Sequence, residues 1–122
     1  MIDPGHLKPL VWIGTSRREL SAMPQAVRSE LGYALYVAQL GGTHRKAKPL
    51  KGFGGAWVME IVSDHRGDSY RCVYTVRFAG SVYVLHAFQK KSKRGRETPK
   101  AEIALIKQRF GEAERLARGE QP

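Results

Sequence analysis

Glu60, Arg71, Lys90 and Lys91 are the residues in this chain whose types and order could do chemistry together. Within the run SYRCVYTVRFA, strand alternation puts Arg71, Val73, Thr75 and Arg77 on one face and Cys72, Tyr74, Val76 and Phe78 on the other. On the preceding run Glu60 shares a face with Val58 and Val62, while Trp57, Met59 and Ile61 point the other way. A turn centred on His65 and Arg66 would set Glu60 directly opposite Arg71. One of Lys90 and Lys91, at the end of the next strand, must then face the same side. A carboxylate, a guanidinium and an ammonium so gathered suit metal-free cleavage of an RNA phosphodiester. A base takes the 2′-hydroxyl proton, cations stabilise the charged phosphorane, and an acid protonates the leaving oxygen. Glu60 is the candidate base and Arg71 the clamp, since a guanidinium matches two phosphate oxygens at once. By spacing alone these roles are interchangeable, and a plain cross-strand ion pair, worth a few tenths of a kcal/mol, is the commoner outcome of such spacing.

His86 precedes the lysines on its strand. With apolar Val84 and Phe88 on the same face, it suits a hydrogen-bonded core histidine as well as a catalytic acid. Phosphate docking falls to two basic stretches. One holds Arg45, Lys46, Lys48 and Lys51, in the loop from Thr43 to Gly55; the other is HAFQKKSKRGRETPK, with Lys90, Lys93, Arg94 and Arg96 beside Lys91. Arg66, next to His65 at the hairpin tip, could also reach a phosphate. Trp57 and Tyr74 could stack on bases, although strand aromatics are more often buried. The basic loop is not a Walker loop, because no Gly-Lys-Ser/Thr follows. Four scattered histidines, His6, His44, His65 and His86, show no metal-ligand spacing with Cys72, so a zinc site is not expected; no cofactor is expected either. Cys72 itself, alone in the chain, reads as a small buried hydrophobe.

The elements that must position these residues follow from periodicity and punctuation. LVWI, Leu10 to Ile13, is a short strand, and Ser16 with Glu19 has capping-box spacing for a helical turn. Pro24 suits a first helical position, after which Val27, Leu31, Ala34, Leu35 and Ala38 recur at helical intervals until Gly41-Gly42. Strands are expected over Ala56 to Val62, Ser69 to Ala79 and Ser81 to Lys90, joined by short connections that imply an antiparallel meander. Thr98-Pro99 offers a cap and a first helical proline before a closing helix with Ile103, Ile106, Phe110 and Ala113 as its apolar stripe. The order β-α-α-β-β-β-α gives an α+β fold, helices packed on a mainly antiparallel sheet.

At 122 residues and 42% hydrophobic content the chain suits one domain, 1–122, with a modest core. Its 21 Lys and Arg against 11 Asp and Glu leave +10, a balance that favours polyanions, nucleic acid first. No apolar run approaches the ~20 residues of a membrane span, and the start MIDPGHLKPL lacks secretory features, so a soluble cytoplasmic protein with no membrane partner is expected.

YRCVYTV (Tyr70 to Val76), VLHAFQKKSKR (Val84 to Arg94) and ETPKAEI (Glu97 to Ile103), in this order, resemble the phage-derived branch of the RelE/HigB-like toxins of type II toxin-antitoxin systems. The likeness extends through GYALYVAQLGG and PLKGFGGAWVMEI to nearly the whole chain. It implies a compact RelE-like domain and ribosome-dependent mRNA cleavage, held in check by a cognate antitoxin, usually one with a helix-turn-helix DNA-binding domain. It further implies that Arg71, in the YR-x-x-Y strand motif, and Lys91, just after the last strand, serve the RNA chemistry. The chain departs from many RelE-like members in carrying Val58 and Glu60 where they have lysines, and in having no tyrosine after Tyr83. The proton donor would then be His86, Lys91 or a group of the ribosome. Two other readings remain: a nonenzymatic gyrase poison of the ParE type, with Glu60 structural, and a noncatalytic RNA-binding module.

Overall fold

The computed structural model describes residues 7–55, 57–90 and 97–119, so that Lys91, Lys93, Arg94 and Arg96 lie outside the described residues. The elements run β1 (Leu10–Trp12), α1 (Ser16–Ser21), α2 (Gln25–Gln39), β2 (Ala47–Pro49), β3 (Val58–His65), β4 (Asp68–Thr75), β5 (Val82–Lys90) and α3 (Lys100–Ala117). The architecture is the expected α+β class, with one strand more than the order read from sequence. β2 lies inside the basic stretch, and its Pro49 is tolerated because β2 is an edge strand. The five strands form one sheet in the order β1-β5-β4-β3-β2. β1 runs parallel to β5, and the other pairs are antiparallel.

Two helices cover opposite faces of this sheet. α2 buries all five residues of its expected stripe, Val27, Leu31, Ala34, Leu35 and Ala38, against Met59, Ile61, Cys72 and Tyr74. α3 lays Ile106 and Ala113, flanked by half-buried Ile103 and Phe110, on Val58, Val73 and Leu85. Glu60 and Arg71 belong by alternation to the α3 side. Tyr74 is buried, so it is no stacking platform, whereas Trp57 is 47% exposed with the Arg77 guanidinium 5.6 Å from its ring centre. Among the described residues no helix is long and apolar enough to cross a membrane.

Two backbone features differ from the sequence-based expectation. The β3–β4 turn is centred on Arg66 and Gly67, both with positive φ (50° and 86°), as a two-residue type I′ hairpin requires. This moves the register by two residues: Glu60 lies opposite Val73, and Arg71 opposite Val62. An even shift preserves the face, so Glu60 and Arg71 become diagonal neighbours instead of direct partners. The second feature is a bulge in β5, where Val73 pairs with His86 and Tyr74 with Val84, skipping Leu85. It reverses the alternation, placing Val84 in the α2 cluster and Phe88 in the α3 cluster, so these two do not flank His86 on one face as expected.

The expected caps also settle elsewhere. Thr15, not Ser16, precedes α1, and the buried Ser16 hydroxyl donates to the Val84 carbonyl at 3.0 Å. Pro24 and Pro99 each sit one residue before their helix.

Candidate active site

Glu60 comes from the centre of β3 and Arg71 from β4, and strand pairing fixes both backbones. Their side chains meet with Arg71 Nη1 donating to Glu60 Oε1 at 2.8 Å. Both residues are buried, at 8% and 6% exposure. The other carboxylate oxygen, Oε2, accepts from Thr98 Oγ1 at 2.7 Å. Thr98 therefore does not cap α3; its hydroxyl goes to a carboxylate, where a charge-assisted bond is stronger than a neutral cap. The segment leading into α3 is thus tied to β3 at the candidate base.

Lys90 ends β5 opposite Ser69, two residues before Arg71 on β4, and is itself buried. Burial and the Arg71 cation push its pKa below the ordinary lysine value, against the pull of Glu60 and Glu97. A lysine so placed gives up its proton more readily than an exposed one. The buried Ser69 hydroxyl has no hydrogen-bond partner among the described residues and lies on the same face, so it can donate to an incoming oxygen. Lys48 of β2 pairs with Glu60 across the sheet edge and is exposed, so its cation belongs to the same face. What these residues can do together is orient a carboxylate, hold an anion, and offer a proton.

The remaining basic residues are spread more widely. Lys46 Nζ is bonded to Glu30 Oε2 of α2 at 2.7 Å, and this bond, with one from Ser63, lowers the Glu30 pKa. Arg45 and Lys51 are exposed, and Arg66 stands exposed at the hairpin tip. No group of three His, Cys, Asp or Glu suited to a metal ion occurs among the described residues. A cleft of about 580 Å³ opens at the α1–α2 corner, lined by Glu19, Met23, Pro24, Tyr70 and Phe88 among others, but Glu60 and Arg71 are not in its wall.

His86 lies in the same cross-strand row as Glu60, with Val73 between them, but bonds to other partners. Its Nδ1 lies 2.9 Å from Glu19 Oε1 and 3.2 Å from Arg109 Nη1, its Nε2 bonds to Glu102, and its ring stacks on Phe88 at 4.9 Å. That setting fits the hydrogen-bonded core histidine. Arg109, buried on α3, also donates to the Leu85 carbonyl at 2.9 Å, at the bulge of β5. Its second nitrogen reaches Thr15 Oγ1 at 3.0 Å. Gly14 is required here, with φ at 56° and the Arg109 Nε only 3.0 Å from where a Cβ would stand. Sequence reading missed this network, together with Thr98 and Ser69. The one available signal was Arg109 within the helical stripe between Ile106 and Ala113.

The family profile described as "Phage derived protein Gp49-like (DUF891)" matches residues 18–111, and the chain belongs to that family. No curated protein sequence matches it significantly. Among solved structures it is similar to a chain of the toxin-antitoxin complex RelBE2 from Mycobacterium tuberculosis, with 20% identity and a TM-score of 0.48 over 74% of this chain and 99% of that one. The phage-derived family expected from the sequence motifs is therefore the one found.

Proposed function

We propose that the protein works as a single-domain toxin of a type II toxin-antitoxin system, an endoribonuclease that cleaves mRNA on the ribosome without a metal or other cofactor. The observation that carries this reading is the Glu60 carboxylate, held at one oxygen by Arg71 and at the other by Thr98, beside a lysine of lowered pKa. Glu60 takes the 2′-hydroxyl proton, and the 2′-oxygen attacks the adjacent phosphorus. Arg71 turns from carboxylate to phosphate and stabilises the phosphorane, with Lys91 and Lys90 supplying further positive charge. The P–O5′ bond breaks, a lysine ammonium gives its proton to the leaving 5′-oxygen, and a 2′,3′-cyclic phosphate remains. Arg45, Lys46, Lys48, Lys51, Arg66, Lys93, Arg94 and Arg96 dock RNA phosphates in this reading. A cognate antitoxin, with a helix-turn-helix domain and acidic segments, would cover the basic face in the cytoplasm.

One observation favours a noncatalytic alternative: Glu60 and Arg71 are buried and bonded to each other, as a structural ion pair would be. Purified protein, ribosomes and a defined mRNA separate the two. Cleavage by wild type, reduced about 100-fold or more in Arg71→Ala, supports the enzyme. Intact mRNA with wild type overturns it, and inhibition of DNA supercoiling would then select the gyrase poison.

A further inference from the structure

Gly32 is the eighth of the fifteen residues of α2. A glycine inside a helix destabilises it relative to alanine through backbone entropy, and nothing within this protein asks for one here. A Cβ at Gly32 would meet no atom of the described residues within 4 Å, and its φ is not positive. Next to it stand Tyr33 and Tyr36, 59% and 42% exposed. Their ring centres are 6.4 Å apart at 35°, so neither covers the other by stacking. His44 meets Tyr33 edge-on, at 5.7 Å and 84°, which leaves at least one face of that ring open. Exposed Arg28 lies one turn before Gly32, and exposed Arg45 follows His44. The nearest acid on the helix, Glu30, is already bonded to Lys46.

We propose that this face of α2 is a second RNA surface, on which a single strand stacks bases on Tyr33 and Tyr36, lies close to the helix backbone at Gly32, and sets phosphates against Arg28 and Arg45. Charge complementarity chooses the occupant. A second copy of a chain at +10 would be repelled, whereas single-stranded RNA supplies both anions for the arginines and flat rings for the tyrosines. The missing side chain then has a purpose outside the fold, since a methyl group at 32 would hold the strand away. The surface lies across the sheet from Glu60 and Arg71, because α2 packs on Met59, Ile61 and Cys72. Binding there leaves Glu60 and Arg71 open, Arg45 being the one cation counted on both surfaces, and the inference does not depend on the protein being a nuclease.

The test uses the full chain and a fluorescein-labelled 2′-O-methyl decanucleotide rich in adenine, which has no 2′-hydroxyl to react. Fluorescence anisotropy should show Tyr33→Ala and Tyr36→Ala each weakening binding about fivefold to a hundredfold, with Tyr33→Phe near wild type. Lys107→Ala, a change at an exposed cation of α3, on the other side of the sheet, should leave affinity within about twofold. Gly32→Ala should raise the melting temperature by roughly 2–6 °C while weakening binding, a combination that a purely structural glycine does not give. Tyrosine variants that bind like wild type overturn the proposal, as does a stabilised Gly32→Ala of unchanged affinity. Displacement of the probe by polyglutamate from wild type and tyrosine variants alike also overturns it, since an acidic polypeptide would then be the better occupant.

Discussion

Replacing Glu19 by Gln removes a carboxylate that joins α1, β5 and α3. Glu19 Oε1 accepts from Arg109 Nη1 at 3.0 Å and from the Ala87 N–H at 3.2 Å, and faces His86 Nδ1; Oε2 accepts from Thr15 Oγ1 at 2.9 Å and Arg109 Nη2 at 3.1 Å. Burial by itself would raise its pKa, but the bonds from Arg109, His86, Ala87 and Thr15 outweigh burial and bring it from 4.5 to about 2. A depression of that size corresponds to roughly 3 kcal/mol of stability at neutral pH. Seen from the other partner, a buried Arg109 left without its carboxylate costs ~3–5 kcal/mol. The two figures describe one interaction and are not summed. With a urea slope of ~1–3 kcal/mol per molar, Glu19→Gln should lower the unfolding midpoint at pH 7 by about 1–3 M. Because the folded-state pKa is depressed, the contribution is complete above the ordinary 4.5 and is lost as pH falls toward about 2. Wild type and variant should therefore converge in acid. Glu19→Gln combined with Arg109→Met should cost less than the two single changes added, since no buried charge is then left alone. A midpoint shift under about 0.3 M at pH 7, or a gap that stays constant down to pH ~2.5, would refute the reasoning.

Two further outcomes follow from single contacts. Burial, and secondarily the Glu19 charge, push the Cys72 thiol up to about 12, so iodoacetamide at pH 8 should label it only as fast as the chain unfolds; labelling of native protein at the rate of a free thiol would contradict this. Thr98→Val removes the 2.7 Å bond to Glu60 and should cost about 1–2 kcal/mol in urea unfolding and roughly tenfold in the proposed ribosome-dependent cleavage, with Thr98→Ser close to wild type in both; a Val variant equal to wild type would show that Thr98 does not orient Glu60.

Why some of this was legible in the sequence and some was not has a common physical cause, the range over which each signal acts. The α2 stripe from Val27 to Ala38 and the α3 stripe from Ile103 to Ala113 are local periodicities, and both helices bury those residues. The pairing of Glu60 with Arg71 survived an error in register because it depends on parity, and Gly67 shifted the turn by an even number of pairs. The bulge at Leu85 is different, since a single extra residue changes parity, and so His86 was read with the wrong neighbour in Val84. The network around Glu19 had little local signal beyond Arg109 in the α3 stripe: Arg109 is 90 residues away, and the Ser16–Glu19 spacing already has a sufficient local explanation as a capping box. A local reading that explains a residue completely hides any distant partner it has. Glu19 and Thr98 show this, both having the spacing of helix-cap residues and both committed to buried charges. Gly32 is the converse, because neither its helix nor its tertiary neighbours explain it, and the explanation must then be sought outside the chain.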